Sequence, residues 1–352
     1  MKKPNSDQLL FEYFTSHQVD VERIKVPLQK KVLKLLNKVE KEIRIEVLKS
    51  NPTAVRTRKM QQLQREIKDI TGNYFADISG TTTNYLKEFA TIEAAKTISI
   101  VNKALSTDLM TTTLNAKQLE ALVSKEYIQG SVMTSWFDRL ETRTINKITD
   151  SINFAVVNGE PVNNIARRIV KDQITTIKRD AEAIVRTSIQ QVQNAAREEL
   201  FKANSDVIKG YTFSAVLDFR TTQQCRGYDG LSWTLEGEPI GGHAIRKPTI
   251  PVHWNCRSTW IPITKSFEEL LGSEFAGIDK KLEKSKQRVS ITGEINSGMT
   301  YEQWLKKQPI SKQKEVLGLG KYNLYKKEKL TFRQMIDQSG NPLTLKELKA
   351  KS

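Results

Sequence analysis

Residues Gly210–Ile263 read GYTFSAVLDFRTTQQCRGYDGLSWTLEGEPIGGHAIRKPTIPVHWNCRSTWIPI, and their pattern decides the fold class. Tyr211, Phe213, Ala215 and Leu217 alternate with Thr212, Ser214 and Val216, the period-two pattern of a short strand ending at Asp218. Turn-forming residues follow closely: Gly227, Asp229-Gly230, Gly237, Pro239, Gly241-Gly242, Pro248 and Pro251. The stretch also holds both cysteines, Cys225 and Cys256, and two of the three histidines, His243 and His253. It therefore predicts a compact strand-and-loop module where helical periodicity is interrupted.

On either side the period is helical. Val21, Ile24, Leu28, Val32, Leu35, Val39 and Ile43 form one apolar stripe over residues 19–50. Asn51-Pro52 breaks it; Leu63, Ile67 and Ile70 mark a second helix to Gly72, and Leu86 to Ile98 a third over 84–105. Trp136 to Val156 mark a long helix stopping at Gly159, and further helices run from about Asn163 to Ala203. Arg167, Arg168, Lys178, Arg179, Arg186 and Arg197 accompany the latter, as a solvated face or as a row facing phosphates. Beyond the module, Phe267–Ala276 predicts a short helix, and Lys280–Lys286 an exposed charged segment. Thr300-x-x-Gln303 is a capping box, and Gly318 a helix stop. The expected class is α+β and mainly helical, in three parts. These are a long helical N-terminal region (1–130), helices followed by the Cys/His module (131–264), and a basic C-terminal region of short helices (265–352).

Composition narrows the function. The 352 residues carry 56 Lys+Arg against 40 Asp+Glu, a net charge of +16, which favours a polyanionic partner without demanding one. Two cysteines in so long a chain argue against a disulfide-built secreted scaffold. Met1-Lys2-Lys3-Pro4 looks like a signal n-region, but Asp7, Gln8 and Glu12 spoil the apolar run a signal needs. No stretch is apolar enough to span a membrane, and the expected place of synthesis is a reducing cytoplasm.

Candidate chemistry sits in the module. Cys225, His243, His253 and Cys256 are thiolate and imidazole donors sufficient for one tetrahedral zinc, with His253-x-x-Cys256 a chelating pair. The alternative is a small packed core of two thiols, with His253 bonded to a loop carbonyl. A Cys225–Cys256 disulfide is disfavoured by compartment. Asp218 and Asp229, with Arg220, Arg226 and Arg257 near in sequence, suit acid–base work or Mg²⁺. They equally suit an ion pair and a tight turn. No Gly-rich phosphate loop, nucleophile elbow or metalloprotease helix motif is present, and no catalytic residue is assigned.

Asp218-x-Arg220-Thr221-Thr222-x-x-Cys225-x-x-x-Asp229-Gly230, followed by Pro251-x-His253-x-x-Cys256-Arg257, resembles the signature of the phage Mu F-like minor head proteins, the phage head morphogenesis family. Upstream, Val185-Arg186-Thr187-Ser188 is similar to the helix preceding that signature, with Ser188 where an acidic residue is common. Tyr301-x-x-Trp304-Leu305-x-x-Gln308-Pro309, Val316-Leu317-Gly318 and Pro342-Leu343-Thr344-Leu345 resemble the family's C-terminal segment. Many relatives have cysteine at the position of Thr222, completing a zinc-like set; here His243 is the available replacement. The resemblance implies a low-copy structural protein of the head and procapsid interior, associated with the portal and with scaffold or major capsid protein. It also implies non-specific contact with packaged DNA, no membrane, and no enzymatic role. Two other readings remain: a nucleic-acid-processing metalloenzyme using the Cys/His/Asp cluster, and a plain non-specific DNA-binding protein.

Overall fold

The computed structural model describes residues 6–50, 57–125, 128–266, 269–270, 288–290, 293–295, 299–328 and 330–351. The described chain is α+β and mainly helical, with one four-stranded sheet in its middle and short helices at its C-terminal end. The N-terminal half comprises α1 (Ser6–Ser50), α2 (Thr57–Leu105), α3 (Ala116–Ser124), α4 (Met133–Val157) and α5 (Val162–Arg168). A six-residue π-helical turn, Ile169–Ile174, leads into α6 (Thr175–Ala203). The residues fall into two compact units, one of Met1–Val21, Thr91–Ala116 and Gln193–Ser352, the other of Glu22–Ala90 and Lys117–Val192.

Among the described residues the second unit is helical, apart from turns and the isolated bridge between Ile128 and Ser131. Its buried residues recur at three- and four-residue steps: Leu28, Val32, Leu36, Val39 and Ile43 on α1, and Phe137, Leu140, Thr144, Ile148 and Ile152 on α4. Polar bonds tie the rims of these helices, as in Lys178 to Glu40 (2.6 Å) and the pair Arg143–Asp180. Where the sequence suggested two helices separated after Gly72, α2 runs unbroken through Gly72 and Gly80. Its buried stripe is Leu63, Ile67, Thr71, Phe75, Ile78, Thr82 and Leu86. Threonines fill two stripe positions, so an apolar count sees a gap where the helix has none. Their hydroxyls return to the carbonyls four residues back, Thr71 to Ile67 (2.7 Å) and Thr82 to Ile78 (2.8 Å). A mid-helix glycine costs about 1 kcal/mol relative to alanine, too little to break so long a packed stripe.

The first unit contains the sheet. Its strands are β1 (Ile208–Ser214), β2 (Ser232–Thr234), β3 (Pro239–Ile240) and β4 (Thr259–Thr264), in spatial order β3-β2-β1-β4 and all antiparallel. A one-and-a-half-turn helix, α7 (Gln223–Tyr228), lies in the β1–β2 connection. Tyr211 pairs with Trp233 on one side and Pro262 on the other, and Phe213 pairs with Trp260. Tyr211, Phe213, Trp233 and Trp260 are all fully buried, with ring centroids 5.5–5.8 Å apart in the pairs Tyr211–Trp260, Phe213–Trp260 and Trp233–Trp260. Phe201 of α6 packs against Tyr211, which seats the sheet on that helix. The strand starts earlier and ends earlier than the alternation suggested. After Ser214 the next amide, Ala215, donates to the Asp229 carboxylate (2.8 Å), so a side chain replaces the ladder.

After the sheet, a two-stranded hairpin joins β5 (Arg288–Ser290) to β6 (Gly293–Ile295). The C-terminal helices follow: α8 (Tyr301–Lys306), α9 (Ile310–Leu317), α10 (Leu319–Glu328), a 3₁₀ turn at Phe332–Met335, and α11 (Leu345–Lys351). Thr300 and Gln303 form the expected capping box, and α9 stops at Gly318 with φ +71°. Trp304, Leu305, Tyr322, Tyr325, Phe332, Met335 and Leu348 form one core, which also takes in Leu217 from the module. Gly227 of α7 lies against this core: a Cβ there would come within 2.7 Å of the Ile336 side chain. The expected helix Phe267–Ala276 lies, apart from 269–270, outside the described residues, as does all of Lys280–Lys286.

Candidate functional site

Two short segments build the site. Thr222 is the N-cap of α7, its hydroxyl accepting from the Cys225 amide (3.4 Å), which fixes the Thr222-x-x-Cys225 spacing on one helical turn. Asn255 adopts φ +59°, and the Cys256 amide donates to the His253 carbonyl (3.1 Å). That tight turn folds His253-x-x-Cys256 back on itself, and asparagine tolerates the left-handed backbone it requires.

The two segments meet. Cys225 Sγ lies 3.1 Å from His253 Nε2 and 3.9 Å from Cys256 Sγ, and the three donor atoms all fall within 4.8 Å of one another. Both cysteines are buried and free, the sulfurs far beyond the roughly 2.05 Å of a disulfide. Thr222 Oγ1 approaches His253 Nε2 to 2.9 Å. On its other side the ring donates from Nδ1 to the Trp254 carbonyl (2.9 Å), which leaves Nε2 as the ring nitrogen that faces the thiols. The Cys256 hydrogen bond, with help from Ser258 and Thr222, outweighs burial and draws the Cys225 thiol below its ordinary value. The same contact, reinforced by burial, pushes Cys256 well above it.

His243, the sequence's candidate fourth ligand, lies outside this group. Its Nε2 donates to the Ser232 carbonyl (2.8 Å), its Nδ1 accepts from the Ile245 amide (3.3 Å), and its ring stands edge-on against Trp233. Both nitrogens are committed to β2 and its following loop. Thr222, which the resemblance marks as a lost ligand, is the residue that stands next to the donors.

The two carboxylates are occupied by protein groups. Arg257 donates to both Asp218 oxygens, Nη1 to Oδ2 (2.6 Å) and Nη2 to Oδ1 (2.9 Å), and Thr221 and the Arg220 amide add to Oδ1. The Arg220 side chain is 84% exposed, with Nε 3.7 Å from Asp218. Burial pushes the Asp218 carboxyl up, but Arg257, Thr221 and the Arg220 amide together hold it below the usual carboxylate range. Asp229 accepts from the Ala215 amide and from the Tyr301 amide (2.6 Å) that opens α8. Tyr301 in turn donates its hydroxyl to the Asp218 carbonyl (2.8 Å). Gly230, with φ +80°, donates to the Phe213 carbonyl (2.9 Å) and closes the turn. Arg226 stacks over Tyr301 and donates to the Val316 carbonyl (3.0 Å). The motif residues thus join the module to the C-terminal helices.

Upstream, Thr187 is buried with its hydroxyl on the Ala183 carbonyl (2.7 Å), Ser188 bonds the Ile184 carbonyl (2.8 Å), and Arg186 is exposed. Arg197 departs from the expected charged row: it is fully buried. Its Nε meets Glu93 (2.8 Å), itself bonded to His17 (2.7 Å), and its Nη1 meets Thr259 of β4. Asn194 completes this seam, accepting from Thr259 (3.1 Å) and from the Trp260 amide (3.0 Å). The sequence hid it because Glu93 and Arg197 stand where apolar residues are expected. The one local signal is that both fall on the buried side of their helices.

Fold and site together define a helix-mounted α+β module, latched by buried polar ties and closed by a cysteine–histidine corner. Residues 146–261, from within α4 into β4, match the family model described as phage Mu protein F like protein. No curated protein and no solved structure matches the chain.

Proposed function

We propose that the protein is a phage minor head protein, a structural assembly factor built into the procapsid in few copies at the portal and lying inside the head. The observation that carries this reading is the match of residues 146–261 to the Mu F-like family. The engagement of Asp218 by Arg257 and of Asp229 by two backbone amides supports a structural rather than catalytic use of the motif. The net charge of +16 fits contact with packaged DNA, which would be independent of sequence and weaken steeply with salt. Scaffold and major capsid protein are the further expected contacts.

Mass spectrometry of purified procapsids and heads, from phage with and without the portal, tests the proposal. Sub-stoichiometric protein that is lost with the portal is the expected result, and absence from both particles overturns it. A retardation assay over a salt series tests the DNA contact. Sequence-selective binding that survives moderate salt would contradict it. A metal-dependent nuclease or deaminase activity abolished by Cys256→Ser would replace the structural reading with an enzymatic one.

A further inference from the structure

Cys225 and the His253–Cys256 turn are 28 and 31 residues apart in sequence, yet their donor atoms lie within 4.8 Å of one another. We propose that Cys225 Sγ, His253 Nε2, Cys256 Sγ and the Thr222 hydroxyl hold one zinc ion, which latches α7 to the turn entering β4.

Size is the first argument. A tetrahedral zinc with bonds of about 2.3 Å to sulfur and 2.0–2.1 Å to nitrogen sets edges of about 3.8 Å between sulfurs and about 3.6 Å between sulfur and nitrogen. Two of the corresponding edges here are 3.9 Å between the sulfurs and 3.1 Å from Cys225 Sγ to His253 Nε2, and the third, from Cys256 Sγ to His253 Nε2, lies within 4.8 Å. An ion therefore enters by small movements of side chains already in place.

Orientation is the second. In the neutral ring, the bond from His253 Nδ1 to the Trp254 carbonyl selects the tautomer whose free Nε2 is aimed at the sulfurs, the outer support that metal-bound histidines have. Charge is the third. Two thiolates, one neutral imidazole and one neutral hydroxyl around Zn²⁺ sum to zero, so the buried site needs no further counter-charge. Binding one Zn²⁺ releases the protons of the two thiols to solvent, with no redox change.

Thr222 supplies the fourth position because its Oγ1 is 2.9 Å from His253 Nε2 and already caps the turn bearing Cys225. A hydroxyl is a weaker zinc ligand than a thiolate, so the site is thermodynamically soft: a latch that binds and releases rather than a permanently closed cage.

The test uses the untagged full-length chain, purified under reducing conditions, with zinc counted by elemental analysis and Co²⁺ titrated into the stripped protein. One metal per chain is expected, together with thiolate-to-cobalt charge transfer and the strong visible bands of a tetrahedral site. Cys225→Ser and Cys256→Ser should lose these bands, whereas His243→Ala should keep them. Thr222→Cys should add a third thiolate to the spectrum and tighten binding at least tenfold, and Thr222→Val should weaken it. A wild-type chain that takes up neither zinc nor cobalt, with protease resistance unchanged by a chelator, overturns the site. Binding lost in His243→Ala but intact in Thr222→Val overturns the ligand assignment. If a serine variant fails to fold, the wild-type cobalt spectrum still decides between these outcomes.

Discussion

Asp229→Ala should cost far more than an ordinary turn substitution. The carboxylate accepts from two amides of distant origin, Ala215 at the end of β1 (2.8 Å) and Tyr301 at the start of α8 (2.6 Å), and both residues are buried. Depriving a buried amide of its acceptor costs about 1–3 kcal/mol, so the pair puts the loss at about 2–6 kcal/mol. Were Asp229-Gly230 only a tight-turn dipeptide, the cost would stay below about 1 kcal/mol. Asp229→Asn should fare little better than alanine, because its amide nitrogen would face one of the two donors. Urea unfolding gives the total, and hydrogen exchange locates it: faster exchange is expected at residues 213–218 and 299–306 together. A loss below about 1 kcal/mol, or exchange unchanged at 299–306, would refute the idea that Asp229 ties the sheet to the C-terminal helices.

Two further outcomes follow from the buried charges. Glu93→Leu strands Arg197 without its counter-charge and should cost about 3–5 kcal/mol, while adding Arg197→Met should restore part of that loss. A denaturant double-mutant cycle reads the coupling, and additive losses would argue against the pair. For acid stability the sign follows from both carboxyls. Burial raises Glu93, but Arg197 and His17 more than reverse it, and Asp218 is likewise held low against burial, chiefly by Arg257. Folding is therefore favoured above the unfolded-state values near pH 3.9–4.3, and that contribution drains as pH falls through the lower folded values. Melting followed from pH 7 to pH 2 should steepen below about pH 4, and Arg257→Met should blunt the Asp218 share.

Much of the architecture was legible before any coordinates. The stripe on α1, the long helix ending near Gly159, the Thr300–Gln303 capping box and the aromatic strand Tyr211–Phe213 are all local signals. Each is a repeat or a short-range bond that the backbone imposes within a few residues. The same holds for His253-x-x-Cys256, whose spacing already implies one turn. Where polar side chains entered the core, the local signal failed: Thr71 and Thr82 hid the continuity of α2, and Arg197 read as a surface charge.

The sequence by itself determined a mainly helical chain interrupted by one strand-and-loop module, and which residue types could carry its chemistry. Only the tertiary structure decided which of them meet. Arg257 reaches Asp218 across 39 residues, Tyr301 reaches Asp229 across 72, and Thr222 rather than His243 stands beside His253. Periodicity reports how a segment divides between solvent and core, and it carries no information about which distant segment lies opposite. That choice belongs to sheet register and to the seating of α7 on the C-terminal core, where a buried donor must find its acceptor wherever the chain brings one.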